Sequence, residues 1–261
     1  MKTRIDGGEI EYDMRGNGEV LLLLHAFPLD LFMWDAQVEA LAATHRVVRF
    51  DARGFGGSAA GDGPLTMERI ADDGAALLDH LGIEKAVVGG CSMGGYAAFA
   101  FVRRHPQRLA GLVLQDTRAG ADTAEAKAGR STLAAKVLAE GASAALEAFL
   151  PKLVGETTHR ERPAVVASLR ERILATAPQG IANALRGLAV RTDSRETLPT
   201  IAVPTLVLVG SEDALTPASE AATMAAAIPR ARLDVIPGAG HLANLEDPAA
   251  VNAALRAFLE R

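Results

Sequence analysis

Seven residues, Gly89-Gly90-Cys91-Ser92-Met93-Gly94-Gly95, constrain this chain more than any other stretch. Lys85-Ala86-Val87-Val88 before them reads as a short buried strand. Tyr96 to His105 after them, closed by Pro106, reads as a helix with its stop signal. A strand that turns into a helix over so few residues must bend sharply, with Ser92 at the apex of Gly90-x-Ser92-x-Gly94. Such a bend strains the serine backbone and brings neighbouring chain very close, and glycines two before and two after leave no Cβ to clash. It also lifts the hydroxyl clear of the sheet, above helix N–H groups that suit a developing negative charge. Ser92 is therefore the candidate nucleophile. Cys91, the only cysteine, lacks the flanking glycine frame.

The rest of the chain repeats the strand–helix alternation. Thr3-Arg4-Ile5 and Ile10-Glu11-Tyr12 flank Gly7-Gly8 and predict a hairpin. Val20 to Leu24 is a solid apolar run, as expected of a central strand. A helix over Trp34 to Leu41 and a strand over Val47 to Phe50 follow. The loop Asp51 to Ser58 is glycine-rich, but no Gly-Lys-Ser/Thr follows, so it reads as a structural turn rather than a phosphate cradle. Thr66, Arg69, Ile70, Leu77, Leu78 and Leu81 mark a helix, and Leu109 to Gln115 another strand ending at Asp116. From Arg118 to Thr200 the β pattern stops and four amphipathic helical patterns replace it. They are carried by Leu133, Val137 and Leu138, by Leu146 to Val154, by Val165 to Ile173, and by Ile181, Leu185 and Leu188. Strands then return over Pro204 to Gly210 and Ala231 to Pro237, separated by a helix near Ala218 to Ile228, and a last helix starts at Asp247-Pro248. The expected fold is α/β, a mostly parallel sheet with helices on both faces and its site at the carboxyl ends of the strands. Residues 1–117 and 201–261 would form the core domain and 118–200 an all-helical insertion.

Composition narrows the function classes. Hydrophobic residues make up 49 % of 261, enough for one large core, and the net charge of −5 points to neither nucleic acid nor an anionic membrane. One cysteine excludes an internal disulfide and fits a reducing compartment. No run approaches the ~20 apolar residues of a membrane span, so a cytoplasmic protein, monomer or homodimer, is expected.

A serine hydroxyl needs a positioned base, and the base an orienting carboxylate. Of the six histidines, His45, His80 and His105 lie before strands or at helix ends, where solvated surface is expected, and His159 sits without context in the insertion. His25 ends a strand just before a loop that could supply an oxyanion donor, and a structural role is expected of it. His241, in Pro237-Gly238-Ala239-Gly240-His241 after the last strand, is the candidate base. Gly238-x-Gly240-x-x-Ala243 mimics a dinucleotide fingerprint, but no strand remains to supply the acidic ribose contact. For the acid, Asp213 in Gly210-Ser211-Glu212-Asp213 is preferred and Asp116 is the alternative, since both fit the order serine, acid, histidine. The oxyanion donors would be the backbone N–H groups of Met93 and Phe27, because Pro28 has none.

These motifs in this order resemble the α/β-hydrolase superfamily over the full chain. The group most similar is that of capped carboxylesterases, enol-lactone hydrolases, non-haem perhydrolases and pimeloyl-carrier-protein methyl esterases. The resemblance rests on His25-Ala26-Phe27-Pro28, Asp51 to Ser58, Gly90 to Gly95, Gly210 to Asp213 and Gly238 to His241. It implies the triad Ser92, Asp213 and His241, a helical cap over Arg118 to Thr200, and ester hydrolysis through an acyl-enzyme. Ala26 departs from it, standing where members usually carry glycine. A serine at the elbow disfavours epoxide hydrolase and haloalkane dehalogenase chemistry, which use aspartate there. Neither a cofactor nor a metal is expected, and the partner is a small ester or lactone. Relatives acting as non-catalytic small-molecule receptors are the reading from another class. On substrate, the insertion carries more Lys and Arg than Asp and Glu, which keeps an anionic enol-lactone open. Arg170 and Arg172 fall on a polar helix face, however, and Phe149, Leu150, Leu153 and Ile181 are expected to face the pocket. That apolar wall predicts small to medium neutral acyl esters.

Overall fold

The computed structural model describes residues 1–260. Its frame is an eight-stranded sheet in the order β1-β2-β4-β3-β5-β6-β7-β8. β1 (Lys2–Ile5) and β2 (Gly8–Arg15) form the N-terminal hairpin. β3 (Val20–Leu24), β4 (Arg46–Phe50), β5 (Ala86–Cys91), β6 (Leu109–Gln115), β7 (Thr205–Gly210) and β8 (Ala231–Ile236) run parallel to one another, and β2 joins β4 antiparallel.

A parallel strand covered on both sides buries alternate residues in opposite layers. β3 shows this directly. Leu22 and Leu24 join a cluster with Val48, Phe50 and the helices α2 (Met67–His80) and α3 (Met93–Arg104). Leu21 and Leu23 join another with Val47 and the helices α1 (Asp35–Leu41) and α11 (Pro248–Leu259). All four leucines are at most 1 % exposed, so each contributes about 1.5–3 kcal/mol by burial.

Local chemistry sets the helix ends. Thr66 caps α2, its side chain accepting from the N–H of Arg69, and Asp247 caps α11 by accepting from Ala250. The loop Asp51 to Ser58 is braced as a turn should be. The Asp51 carboxylate accepts from Leu31 N and Gly57 N, and Arg53 grips the fully buried Asp73 with Nε and Nη2, both at 2.8 Å.

Between β6 and β7 run α4 (Ala124–Glu140), α5 (Ser143–Leu153), α6 (Glu156–Glu161), α7 (Pro163–Ala175) and α8 (Pro178–Ala189). α9 (Ala218–Ala227) and the short α10 (Ala243–Glu246) complete the chain. The insertion thus has five helices where four patterns were expected, because α6 is too short to show a periodicity. α10 was missed for the same reason. Trp34, expected to start α1, instead closes a separate 3-10 turn, Leu31–Trp34, capped by Asp30.

Candidate active site

The carboxyl ends of β5, β7 and β8 bring Ser92, Asp213 and His241 together. β5 runs through Cys91, further than the apolar run predicted, and α3 begins at Met93, three residues before Tyr96. Ser92 is the one residue between them, at φ 53° and ψ −111°, a conformation non-glycine residues rarely adopt. The two glycines are a steric requirement. A Cβ on Gly90 would stand 2.1 Å from Gly94 O, and one on Gly94 would stand 2.1 Å from Leu24 O. Two elements can therefore touch only where these side chains are absent.

His241 Nε2 lies 2.7 Å from Ser92 Oγ, and its Nδ1 lies 2.8 Å from Asp213 Oδ2. Thr216 Oγ1 donates to the same Oδ2 at 2.6 Å, while Leu215 N and Thr216 N donate to Oδ1 at 2.8 and 2.9 Å. Burial raises the Asp213 pKa, but the His241 and Thr216 hydrogen bonds outweigh it and hold the carboxyl below its ordinary value. A carboxylate kept ionised in this way fixes the proton of His241 on Nδ1 and leaves Nε2 as an acceptor facing the serine. Thr216 escaped the sequence reading. Its signal was the run Asp213-Ala214-Leu215-Thr216, in which an aspartate accepts from N–H groups two and three residues on.

Asp116 lies outside this chain of hydrogen bonds. Its carboxylate accepts from Gly210 N at 2.8 Å, Gln115 Nε2 at 3.1 Å and Ala243 N at 3.2 Å. It thereby ties the ends of the Asp213 and His241 loops to β6. Burial, with the Asp213 charge nearby, pushes its pKa well above the ordinary carboxylate value. Glu246 is a second buried carboxylate with a positioning task, accepting from Gly240 N, Leu242 N and Gly155 N. It brackets His241 on both sides and joins that loop to the helical insertion. Beneath them Gln115, Asn244, Gln37 and Asn252 form a buried amide network.

Cys91 is buried beside the serine, and burial, with Asp116 and Asp213 nearby, pushes its thiol well above the ordinary range. It does not line the cavity, and its Sγ lies 3.8 Å from His241 O. His25 is structural, as expected: Nε2 accepts from Ala52 N at 2.9 Å and Nδ1 donates to Ala26 O at 3.0 Å. His45 corrects its expectation, being buried with Nδ1 2.9 Å from Thr44 Oγ1. His105 is half-buried against Asp72, and His80 and His159 are exposed.

A cavity of about 90 Å³ opens on Ser92 and His241. Phe27, Met93, Tyr96, Leu188, Leu215 and Thr216 line it, with Phe149 and Leu153 from α5. Leu150 and Ile181, expected at the wall, are buried in the packing instead, while Arg118 and Arg130 face the cavity. Their facing it removes the main ground for a purely apolar wall. Phe27 and Met93 line the cavity with Ser92, and neither backbone N–H has a partner among the described residues. Ala26, at the usual glycine position, does not need positive φ. A larger cleft of about 630 Å³, between the hairpin and residues 59–65, contains none of Ser92, Asp213 and His241.

A strained serine between a parallel strand and a helix, bonded to a histidine and an aspartate from later strand ends, has the geometry of a nucleophile elbow. The family model of the alpha/beta hydrolase fold matches residues 19–248, and the chain belongs to that family. A thermophilic esterase from Thermogutta terrifontis, solved with malate bound, is 46 % identical over 99 % of this chain and 96 % of its own, with a TM-score of 0.96. The enol-lactonase from Burkholderia xenovorans LB400 is 32 % identical over 100 % of this chain and 100 % of its own, with a TM-score of 0.93. 3-Oxoadipate enol-lactonase 1 of Acinetobacter baylyi is 30 % identical over 95 % of this chain and 92 % of that protein. Among the described residues no helix is long and apolar enough to cross a membrane.

Proposed function

We propose that this protein is a serine hydrolase of carboxylic esters that works through an acyl-enzyme. The observation carrying this reading is the hydrogen-bonded chain from Ser92 Oγ to His241 Nε2, and from His241 Nδ1 to Asp213 Oδ2, at 2.7 and 2.8 Å. His241 takes the serine proton as Oγ attacks the ester carbonyl. The Phe27 and Met93 N–H groups receive the oxyanion, and His241 returns the proton to the departing alcohol. A water activated by the same imidazole then releases the acid and restores Ser92. Residues 118–200 act as a cap, since Arg118, Arg130, Phe149, Leu153 and Leu188 all reach the cavity. The cavity lies well below the roughly 300–1,000 Å³ of ordinary ligand pockets, which favours short acyl groups. The esterase and lactonase relatives support the same chemistry.

Turnover of p-nitrophenyl acetate against p-nitrophenyl decanoate tests the reading. The acetate should be preferred, and Ser92→Ala should lose roughly 10⁶-fold in kcat. Absence of Ser92-dependent turnover of any ester would leave a non-catalytic receptor as the better account.

A further inference from the structure

Arg118 and Arg130 reach the same cavity as the nucleophile, one from the segment after β6 and one from α4. With Arg191 they converge on a single carboxylate. Arg118 Nη2 lies 3.1 Å from Asp122 Oδ1, Arg130 Nε bonds Oδ2, and Arg191 Nη1 pairs with Oδ1. The Asp122 side chain is wholly buried, and the guanidinium groups hold its pKa down to about 2 against the upward pull of burial. Three cations thus share one anion, and two of them, Arg118 and Arg130, line the same cavity as Phe149, Leu153 and Tyr96.

A guanidinium beside apolar side chains is stabilised by each anionic partner it gains. Arg191 is accounted for: it is 2 % exposed, donates to Gly120 O at 2.6 Å and stacks 4.3 Å over the Tyr96 ring. Arg118 is not: among the described residues its Nη2 alone has a hydrogen-bond partner, and the side chain is 31 % exposed, so a donor stays within reach of a ligand. Arg130 gives Asp122 its Nε and, more distantly, one Nη at 3.5 Å. Asp122 therefore anchors the two arginines and leaves donors of both for a second planar anion. A carboxylate fits a guanidinium fork with two parallel hydrogen bonds, which a neutral acyl chain cannot supply.

We propose that Arg118 and Arg130 bind a free carboxylate on the substrate, so that the preferred substrates are short esters or lactones bearing a second, ionised carboxyl group. The proposal rests on the ester-hydrolase reading and replaces the neutral acyl chain expected from the sequence. The carboxylate can sit on the acyl or on the alcohol side of the scissile bond, and two pairs of esters separate these. Methyl hydrogen succinate is compared with methyl butyrate, and acetoxyacetate with ethyl acetate, as kcat/KM at low ionic strength. At least one anionic ester should exceed its neutral partner tenfold or more. Arg118→Gln and Arg130→Gln should each reduce that ratio roughly ten- to a hundredfold.

Calorimetry with succinate supplies a readout independent of turnover. Succinate should bind the wild-type protein, weaken as salt rises, and bind either glutamine variant at least tenfold less tightly. Because the salt series needs no variant, misfolding of the glutamine proteins cannot shield the proposal. If neutral esters are turned over as well as anionic ones, with Ser92 required, the carboxylate site is wrong and the ester reading stands. If no ester is turned over, the ester reading fails, and salt-sensitive binding of succinate alone decides the site.

Discussion

Replacing Asp213 by asparagine should disable His241 while leaving the fold intact. Asp213 Oδ1 accepts from Leu215 N and Thr216 N, and Oδ2 accepts from Thr216 Oγ1 and His241 Nδ1. An asparagine carbonyl can keep the two Oδ1 bonds, so its amide NH₂ takes the place of Oδ2 and faces His241 Nδ1. That nitrogen must then offer a lone pair, and the imidazole proton moves to Nε2, 2.7 Å from Ser92 Oγ. In this tautomer the imidazole cannot accept the serine proton. The expected loss in kcat is roughly 10⁴-fold, the size of the same exchange in a serine-protease triad, or about 5.5 kcal/mol of barrier. Asp116→Asn is the matched control. Its carboxylate accepts from loop N–H groups and Gln115 and touches neither Ser92 nor His241, so the exchange disturbs the loop ends without turning the imidazole tautomer. It should retain kcat within about tenfold. The assay is kcat on p-nitrophenyl acetate, with circular dichroism to establish that both variants are folded. If Asp213→Asn keeps more than a tenth of wild-type kcat, or Asp116→Asn falls further than Asp213→Asn, the tautomer argument is refuted.

Gly90→Ala would set a Cβ 2.1 Å from Gly94 O and must push the strand from the helix. Overpacking of about 1–3 kcal/mol should lower Tm by roughly 2–12 °C, and an unchanged Tm would count against a tight elbow. Asp122 has its pKa lowered from 3.8 to about 2 in the fold, so its contribution of about 2 kcal/mol is complete above pH 4 and lost as pH falls through 2. Urea titrations of the wild type and Asp122→Asn should therefore differ most above pH 4 and converge near pH 2; a constant gap would contradict the pairing. Cys91 should resist a thiol reagent at pH 8 in the native protein and react on unfolding, since it is buried and its thiol pKa is raised. Fast native labelling would reopen it as a nucleophile.

The elements with their own local signal were legible in the sequence. The elbow announced itself because strand, glycines and helix are contiguous from Ala86 to Arg104. His241 and Asp213 could be placed because each follows an apolar strand at its carboxyl end. Contacts that join distant parts of the chain left no such trace. Glu246 reads as an ordinary charge before Asp247-Pro248, yet it holds Gly240, Leu242 and Gly155 together. Gln115 and Asn244 are far apart in sequence and meet only once β6 and α10 are in place. Arg118 and Arg130 went unremarked for a related reason. Arg118 lies outside any helix, so no helical face could place it, and the weak amphipathicity of α4 hid which way Arg130 points. α6 and α10 were missed because 6 and 4 residues are too few to carry a helical period.

The central claim is that Ser92, and not its neighbour Cys91, forms the covalent bond to substrate. A fluorophosphonate, which phosphonylates an activated serine with loss of fluoride and is not then hydrolysed at the acyl-enzyme rate, tests it by intact mass and peptide mapping. One adduct per chain is expected, located on Ser92, abolished in Ser92→Ala and slowed by several orders of magnitude in Asp213→Asn. An adduct on Cys91, or undiminished labelling of Ser92→Ala, would contradict it.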